Sequence, residues 1–357
     1  MKIYKLILLL GLGILATGIN SCALYEASPG RAHDKLLASW LSEPRYVETE
    51  LRITIKNFKV LHGEELVKAN REMNIPDYTP PTFRIWSSQP FEYINQRNVK
   101  FLGVSPEPDE RWTDAENGNV IFYWDIAKRM KDGDSLVITR RFRYDLFNFT
   151  VPQDIQTANA PDGMLDDAER YLVSEEFLEL TDSIKAMSVS IAGGENDPLK
   201  KARLFYDWMR GNMKYEWPVL ARGAGEALKT CKGDCGQYSY LYIAFCRASN
   251  IPARLVSGFM LAPDTLSYHV WSEIQLPGLG WLPVDCTDKN GFLSLDNRRL
   301  VTSRGTNIPL PNVPAWATWK NSEAQNGKTD FMQMMTTVIS GVKAEVSTRR
   351  ILHKYSK

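Results

Sequence analysis

The sequence KGDCGQYS, at positions 232–239, places Cys235 between two glycines and directly before an apolar run at 238–248. The run is closed by the residues NIP at 250–252, which are typical of a helix terminus. This pattern predicts a turn that opens a buried helix, with Cys235 at the start. A helix N-terminus presents free N–H groups and partial positive charge, which favour a thiolate over a thiol. The flanking glycines would let a substrate backbone approach closely.

A thiolate nucleophile needs a proton carrier, and His269 is the only histidine between residues 63 and 352. It opens a strand-like segment at 269–276, which the turn PGLG at 277–280 connects to a second strand-like segment at 281–285. An antiparallel hairpin would return Asp285 to the side of His269. A carboxylate in that place orients the imidazole and stabilises its charged form. The order along the chain is therefore cysteine, histidine, aspartate.

Three blocks of sequence resemble the core of the transglutaminase-like superfamily, which has a papain-like fold. They lie at 233–258 (GDCG leading to RASNIPARLVSG), at 269–273 (HVWSE) and at 280–285 (GWLPVD), and the resemblance covers about 196–305. It implies an α+β catalytic core in which Cys235, His269 and Asp285 form a cysteine–histidine–aspartate triad.

The sequence departs from relatives of this fold at the oxyanion hole. Lys229 lies six residues before Cys235, where papain has its oxyanion-hole glutamine. The backbone N–H of Cys235 is the natural first donor, whereas the second stays unassigned, with Tyr215 and Trp217 as candidates. We expect Trp271 and Trp281 to be structural supports. Nothing resembles the calcium sites of animal transglutaminases, so we expect no metal and no cofactor.

Each member of the triad also has an ordinary structural explanation. Cys235 could be a buried cysteine at a helix start, His269 a satisfied strand histidine and Asp285 a turn residue. The joint arrangement favours an enzyme that acts on amide bonds of peptides, proteins or glycoproteins, by hydrolysis rather than cross-linking. The alternative is a non-catalytic binding or assembly module on the same fold.

The other cysteines beyond the N-terminal segment are Cys231, Cys246 and Cys286. We interpret them as packing or accessory thiols, and a Cys231–Cys286 disulfide stays open. Zinc is a poor match, because a C-x-x-x-C spacing without a nearby C-x-x-C partner is not typical of structural zinc sites.

The first residues resemble a bacterial lipoprotein signal. Lys2 and Lys5 precede an unbroken apolar run at 6–16, and Ser21-Cys22 follows a few residues later. Asn20 departs from the usual pattern, and an ordinary secretory signal cleaved nearby is the alternative. We expect a signal peptide at 1–22, lipidation of Cys22, and export to the periplasmic or surface face of the bacterial cell envelope.

Changes in patterning predict how the rest of the chain is organised. Period-two alternation at 51–56 and 141–146, with turn dipeptides at 117–118 and 132–133, predicts an immunoglobulin-like all-β sandwich. After the signal peptide, we predict a tether at 23–45, which contains a short helix near 32–41. It is followed by the sandwich at 46–150, a helical connector at 151–195, the transglutaminase-like core at 196–305 and a C-terminal extension at 306–357.

The composition of the 357-residue chain fits a globular protein of about two domains. Lys and Arg total 43 against 42 Asp and Glu, and no basic run or binding motif indicates nucleic acid. We therefore expect no nucleic-acid partner. The site and the predicted lipid anchor lead us to expect a peptide, protein or glycoprotein substrate and contact with a membrane through the anchor, and we expect a monomer.

Overall fold

A computed structural model describes residues 29–155, 168–262, 265–317 and 327–355. The chain divides into two compact units, Met1–Ser39 and Trp40–Lys357. In the first unit one helix is described, α1 (Pro29–Ser39), which begins and ends slightly before the predicted short helix. The predicted signal peptide and Cys22 lie outside the described residues. In the described ranges, no helix combines the length and the hydrophobicity needed to cross a bilayer.

The second unit is a mixed α/β structure. Its helices are α2 (Gly63–Glu72), α3 (Ile126–Arg129), α4 (Asp182–Ala192), α5 (Pro198–Asn212), α6 (Ala224–Thr230) and α7 (Cys235–Ala248). Its strands are β1 (Leu41–Val60), β2 (Thr82–Gln89), β3 (Gln96–Ser105), β4 (Glu110–Thr113), β5 (Val120–Asp125), β6 (Leu136–Thr150), β7 (Lys214–Tyr215), β8 (Lys232–Gly233), β9 (Ala253–Ala262), β10 (Thr265–Leu276), β11 (Gly280–Val284), β12 (Ser294–Leu295), β13 (Arg299–Arg304), β14 (Ile308–Pro309), β15 (Lys328–Thr329), β16 (Thr336–Ser340) and β17 (Val342–Tyr355).

Two antiparallel sheets, built mostly from strands before residue 151, share one hydrophobic core. In the first, β3 and β12 pair with β6, β6 with β1, and β1 with β17; the second has the order β16-β2-β5-β4. The predicted alternation holds in β1, where Leu51, Ile53 and Ile55 are buried and Lys56 is exposed. These side chains join Phe122 and others from the second sheet in the core. An immunoglobulin-like fold for 46–150 stays a prediction.

The predicted C-terminal extension completes both of these sheets instead of standing apart. Strand β17 pairs with β1 from Val47–Tyr355 to Val60–Val342, and β16 forms the edge beside β2. The alternation of Val342, Ala344 and Val346 with polar residues was the signal for a strand there. Its partner lies almost 300 residues away in sequence, which local patterning cannot identify.

The predicted helical connector at 151–195 is helical only in part, since the residues between 173 and 181 form no helix although their apolar side chains have helical spacing. A short 3-10 helix spans Glu169–Leu172, and the chain is then irregular until Thr181 caps α4 by accepting from Ile184 N at 3.3 Å. Phe177 has φ +66°, in the left-handed region, and its ring stacks on Tyr240 at 5.6 Å. The apolar residues therefore serve packing against α7 and not one face of a helix. Residues 156–167 of the predicted connector lie outside the described ranges.

The C-terminal half packs α4–α7 against a sheet of order β11-β10-β9-β13. Helix α7 is its centre, since residues 236–247 are all buried. Helix α5 begins at an aspartate–proline pair typical of a helix start, with Asp197 accepting from Leu199 N at 2.8 Å and Pro198 in the first turn.

The segment before β16 connects the two antiparallel sheets described above to this sheet. The carbonyl of Met332 accepts hydrogen bonds from Ser257, Thr302 and Ser303 at 2.8–3.1 Å. The side-chain amide of Gln333 donates to the carbonyl of His269 at 2.8 Å. The segment that leads into β16 therefore holds the sheet on which His269 lies.

Gly258 marks the closest approach inside the sheet. A Cβ at this position would lie 1.9 Å from the carbonyl oxygen of Leu300 on β13. We expect Gly258→Ala to lower the free energy of unfolding by about 2 kcal/mol, since the strands must separate. Urea melts would measure this, with Gly225→Ala as control, because nothing lies within 4 Å of a Cβ there. Equal melts for both variants would contradict the prediction.

Candidate active site

Cys235 is the first residue of α7, and its side chain is partly exposed. Asp234 caps the helix by accepting from Gln237 N at 3.1 Å. The thiol therefore lies beside the uncapped donors of the first turn, where the helix dipole stabilises negative charge.

Packing restricts both glycines beside Cys235, and it does so more strictly at Gly233 than at Gly236. A Cβ on Gly233 would lie 2.2 Å from Cβ of Gln237, and a Cβ on Gly236 would lie 2.8 Å from Nη1 of Arg222. Arg222 in turn bonds Asp234 at 2.8 Å. Close packing behind the thiol thus explains the glycines without invoking a substrate.

The hairpin of β10 and β11 brings His269 and Asp285 together. Ser272 pairs with Val284, so that Asp285 directly follows the end of β11 and lies within reach of His269 on β10. His269 Nε2 lies 2.7 Å from Asp285 Oδ2. The Cys235 thiol lies near the ring and interacts with it electrostatically, and Nδ1 is the nitrogen that Asp285 leaves available to it. The other oxygen of Asp285 accepts from Thr287 Oγ1 at 2.6 Å.

Electrostatics favour a charged imidazole here. Burial alone would lower the pKa of His269, but the charge and hydrogen bond of Asp285 outweigh burial, Cys235 adds to them, and the pKa rises to about 10. For Asp285, burial would raise the pKa, whereas His269 and Arg299 bring it well below its usual range. The arrangement is an ion pair within contact of a thiol.

This shift predicts a pH-dependent contribution to stability. Because the folded state holds the His269 proton more tightly, the contribution is complete below the ordinary pKa of 6.5 and is lost as pH rises through about 10. The difference in free energy of unfolding between the wild type and His269→Gln should therefore shrink between these values. Denaturant melts across that range measure it; a difference that grows with pH would contradict the assignment.

Arg299 is a member of this cluster that the sequence did not indicate. It is 3% exposed, and its Nη2 lies 2.9 Å from Asp285 Oδ2 and 3.0 Å from Asp288 Oδ2. Its Nη1 lies 2.8 Å from Asp296 Oδ1. An arginine beside another arginine at a strand start carries no local signal of this role. Thr287, two residues after an aspartate, follows a common turn pattern that could have been found.

Tyr215 lies directly beside the nucleophile. The parallel bridge of β7 and β8 positions it, with Glu216 N donating to Gly233 O at 2.9 Å. The Tyr215 hydroxyl lies close to both the backbone N–H and the thiol of Cys235 and interacts with them electrostatically. Partial burial raises the pKa of Tyr215, and the charges of Cys235 and Asp234 add to this. Trp217, two residues further, is 74% exposed.

The two predicted supporting tryptophans lie apart from the thiol. Trp271 is fully buried, its ring 5.9 Å from that of His269. Trp281 packs under the guanidinium of Arg254 at 3.9 Å, and Arg254 forms a buried ion pair with Glu273 at 2.8 Å. Trp271 therefore backs the histidine, whereas Trp281 belongs to a separate cluster.

The cysteines at 231, 246 and 286 carry free thiols, so the disulfide left open by the sequence is not formed. Burial raises the pKa of Cys246 and of Cys286. Within the described ranges, no group of three or more His, Cys, Asp or Glu could hold a metal ion.

Comparison with known proteins agrees with this geometry at the level of family and fold. Residues 185–286 match the Transglutaminase-like superfamily, the family of cysteine-centred domains that the sequence resembles. This part of the chain is therefore similar to transglutaminase-like domains.

Individual relatives are distant. An uncharacterized protein of Haemophilus influenzae is 30% identical over 170 residues, 40% of this chain and 44% of the relative, so the chain spans less than half its length. A candidate cysteine protease from Cytophaga hutchinsonii shares the fold, with TM-score 0.57, 15% identity, and coverage of 89% of this chain and 93% of that one. The periplasmic domain of TgpA from Pseudomonas aeruginosa compares at TM-score 0.35 and 16% identity, covering 71% and 90%.

Proposed function

We propose that this protein is a monomeric cysteine acyl-transfer enzyme that hydrolyses amide bonds in peptides, proteins or glycoproteins. One observation carries the proposal. His269 bonds Asp285 at 2.7 Å through one ring nitrogen and contacts the Cys235 thiol as well. A binding module has no need for a buried imidazolium beside a partly exposed thiol, and this disfavours the non-catalytic alternative.

The chemistry follows from these positions. The Cys235 thiolate attacks the carbonyl carbon, and His269 gives its proton to the leaving amine as the C–N bond breaks. The resulting thioester is then attacked by water, whose proton His269 accepts, and the C–S bond breaks to release a carboxylic acid. Asp285 holds the ring in orientation and stays ionised throughout.

An oxyanion forms in both steps and needs donors. The backbone N–H of Cys235 is one, at the positive end of α7. We assign the Tyr215 hydroxyl as the second because it lies beside that N–H and the thiol. Trp217 has no contact that favours it for this role. Hydrolysis is favoured over cross-linking because Cys235 is partly exposed, so water reaches the thioester directly.

The test is to trap the acyl-enzyme. The protein is mixed with a cell-envelope peptide extract in ¹⁸O water, quenched in acid and digested, and Cys235 adducts are identified by mass spectrometry. We expect a peptidyl adduct on Cys235 and one ¹⁸O atom in the released carboxylate. Cys231→Ala is the matched control and should trap equally well. Adducts spread evenly over the cysteines, or unaffected by His269→Ala, would refute the enzyme.

We also propose that the protein is exported and anchored through a lipid on Cys22, as the apolar run and Ser21-Cys22 suggest. Cys22→Ala should move the protein from the membrane fraction to the soluble fraction, whereas Cys231→Ala should not. Immunoblots of fractionated cells measure this. Unchanged fractionation of Cys22→Ala would show that the cysteine is incidental.

A further inference from the structure

Three large side chains are exposed within six residues of the chain, and the first of them, Tyr215, lies beside the nucleophile. Tyr215 is 62% exposed, Trp217 is 74% exposed and Leu220 is fully exposed; we name these three residues the apolar lip. Single exposed apolar residues are normal, but a cluster of them marks a surface that binds something. The lip therefore needs an explanation beyond packing.

The loop that carries the lip is firmly held. The side-chain amide of Gln237 accepts from Gly223 N at 2.8 Å and donates to Ala221 O at 3.2 Å. Arg222 bonds Asp234 at 2.8 Å, on the residue just before the nucleophile. These bonds fix the C-terminal end of the loop relative to Cys235, and the pairing of Tyr215 with Gly233 fixes its start.

The surroundings of the lip indicate an apolar occupant. The Tyr215 hydroxyl contacts the Cys235 thiol, so an acyl group attached to this sulfur lies within reach of the lip. Two neighbouring charged pairs are internally neutralised, since Glu216 pairs with Lys232 at 2.9 Å and Arg222 pairs with Asp234. The lip itself offers hydrophobic and aromatic contact for recognition.

We propose that the lip selects acyl donors with a large apolar or aromatic side chain next to the amide that is cleaved. The inference rests on the proposed function, because it takes Cys235 as the site of acylation. A phenylalanine side chain that packs on Trp217 and Leu220 leaves water, and burial of a side chain of that size is worth roughly tenfold or more in rate.

Three chloromethyl ketones test this: acetyl-Gly-Gly, acetyl-Phe-Gly and acetyl-Gly-Phe. Each alkylates a thiolate as the C–S bond forms, the C–Cl bond breaks and chloride leaves. Labelling rates of Cys235 are read by mass spectrometry. We expect at least one phenylalanine probe to label Cys235 about tenfold faster than the Gly-Gly probe. Equal rates for all three would overturn the inference.

Variants locate the preference. Leu220→Ala and Trp217→Ala should each lower the ratio of phenylalanine to Gly-Gly rates about threefold, whereas Val189→Ala, at a 71% exposed position on α4, should leave it unchanged. A ratio that survives both lip variants would overturn the inference. Labelling with iodoacetamide distinguishes the two proposals. Fast labelling of Cys235 without a phenylalanine preference would refute only the role of the lip. Labelling of Cys235 no faster than that of Cys231 would refute the proposed enzyme.

Discussion

Replacing His269 by alanine should lower amide hydrolysis about a thousandfold, because proton transfer in both steps is lost. Without any substrate, the same change should slow alkylation of Cys235 by iodoacetamide at pH 6 about tenfold. A free cysteine thiol, whose pKa is near 8.5, is only about 0.3% thiolate at pH 6. An imidazolium partner raises that fraction, although the paired thiolate is a weaker nucleophile, which limits the gain.

The experiment carries its own reference. Cys231, which is partly exposed in the same chain, is labelled in every sample and serves as the internal comparison for Cys235. Asp285→Asn should produce a smaller effect than His269→Ala, since the imidazole stays in place but loses its orienting charge. Above about pH 9 the His269→Ala variant should approach the wild-type rate, because ionisation then needs no partner. Identical pH profiles for wild type and variant would show that the triad does not operate.

Removing Arg299 should lower the free energy of unfolding by about 3–5 kcal/mol, the usual loss when one partner of a buried ion pair is deleted. The guanidinium is 3% exposed and bonds three carboxylates, on Asp285, Asp288 and Asp296. In Arg299→Met these groups keep their negative charge or take up protons, and either outcome destabilises the fold.

The neighbouring residue supplies the matched control. Arg298 also pairs with Asp296, at 2.7 Å, but its side chain is 48% exposed. Arg298→Met should therefore cost at most about 1 kcal/mol. Urea melts at pH 7 would compare the two variants. Similar losses at both positions would mean that the Asp285 cluster does not depend on Arg299.

Local rules were sufficient for several parts of the site. A glycine-flanked cysteine before an apolar run predicts the start of α7, and an aspartate before a proline predicts the cap of α5. The turn at 277–280 predicts a hairpin, which positions Asp285 near His269. Helix caps, turns and strand alternation depend on neighbours within a few residues, so their signals survive in the sequence.

Local rules failed where a residue acts through distant partners. The apolar residues around Phe177 have helical spacing, yet they pack on α7 from an irregular segment. The flanking glycines of Cys235 suggest substrate access, whereas the positions of Arg222 and Gln237 show a packing reason. The spacing of apolar residues in the sequence indicates which positions are buried, but it does not indicate which other segment they pack against.

The amino-acid sequence alone determined the order of cysteine, histidine and aspartate, the helix and hairpin that carry them, and the resemblance to transglutaminase-like domains. Only the tertiary structure decided that Arg299 holds Asp285, that Gln333 binds the carbonyl of His269, and that β17 pairs with β1. The physical reason is range. Caps, turns and alternation arise from covalent neighbours, whereas buried ion pairs and sheet partners form between segments that only the folded chain brings together.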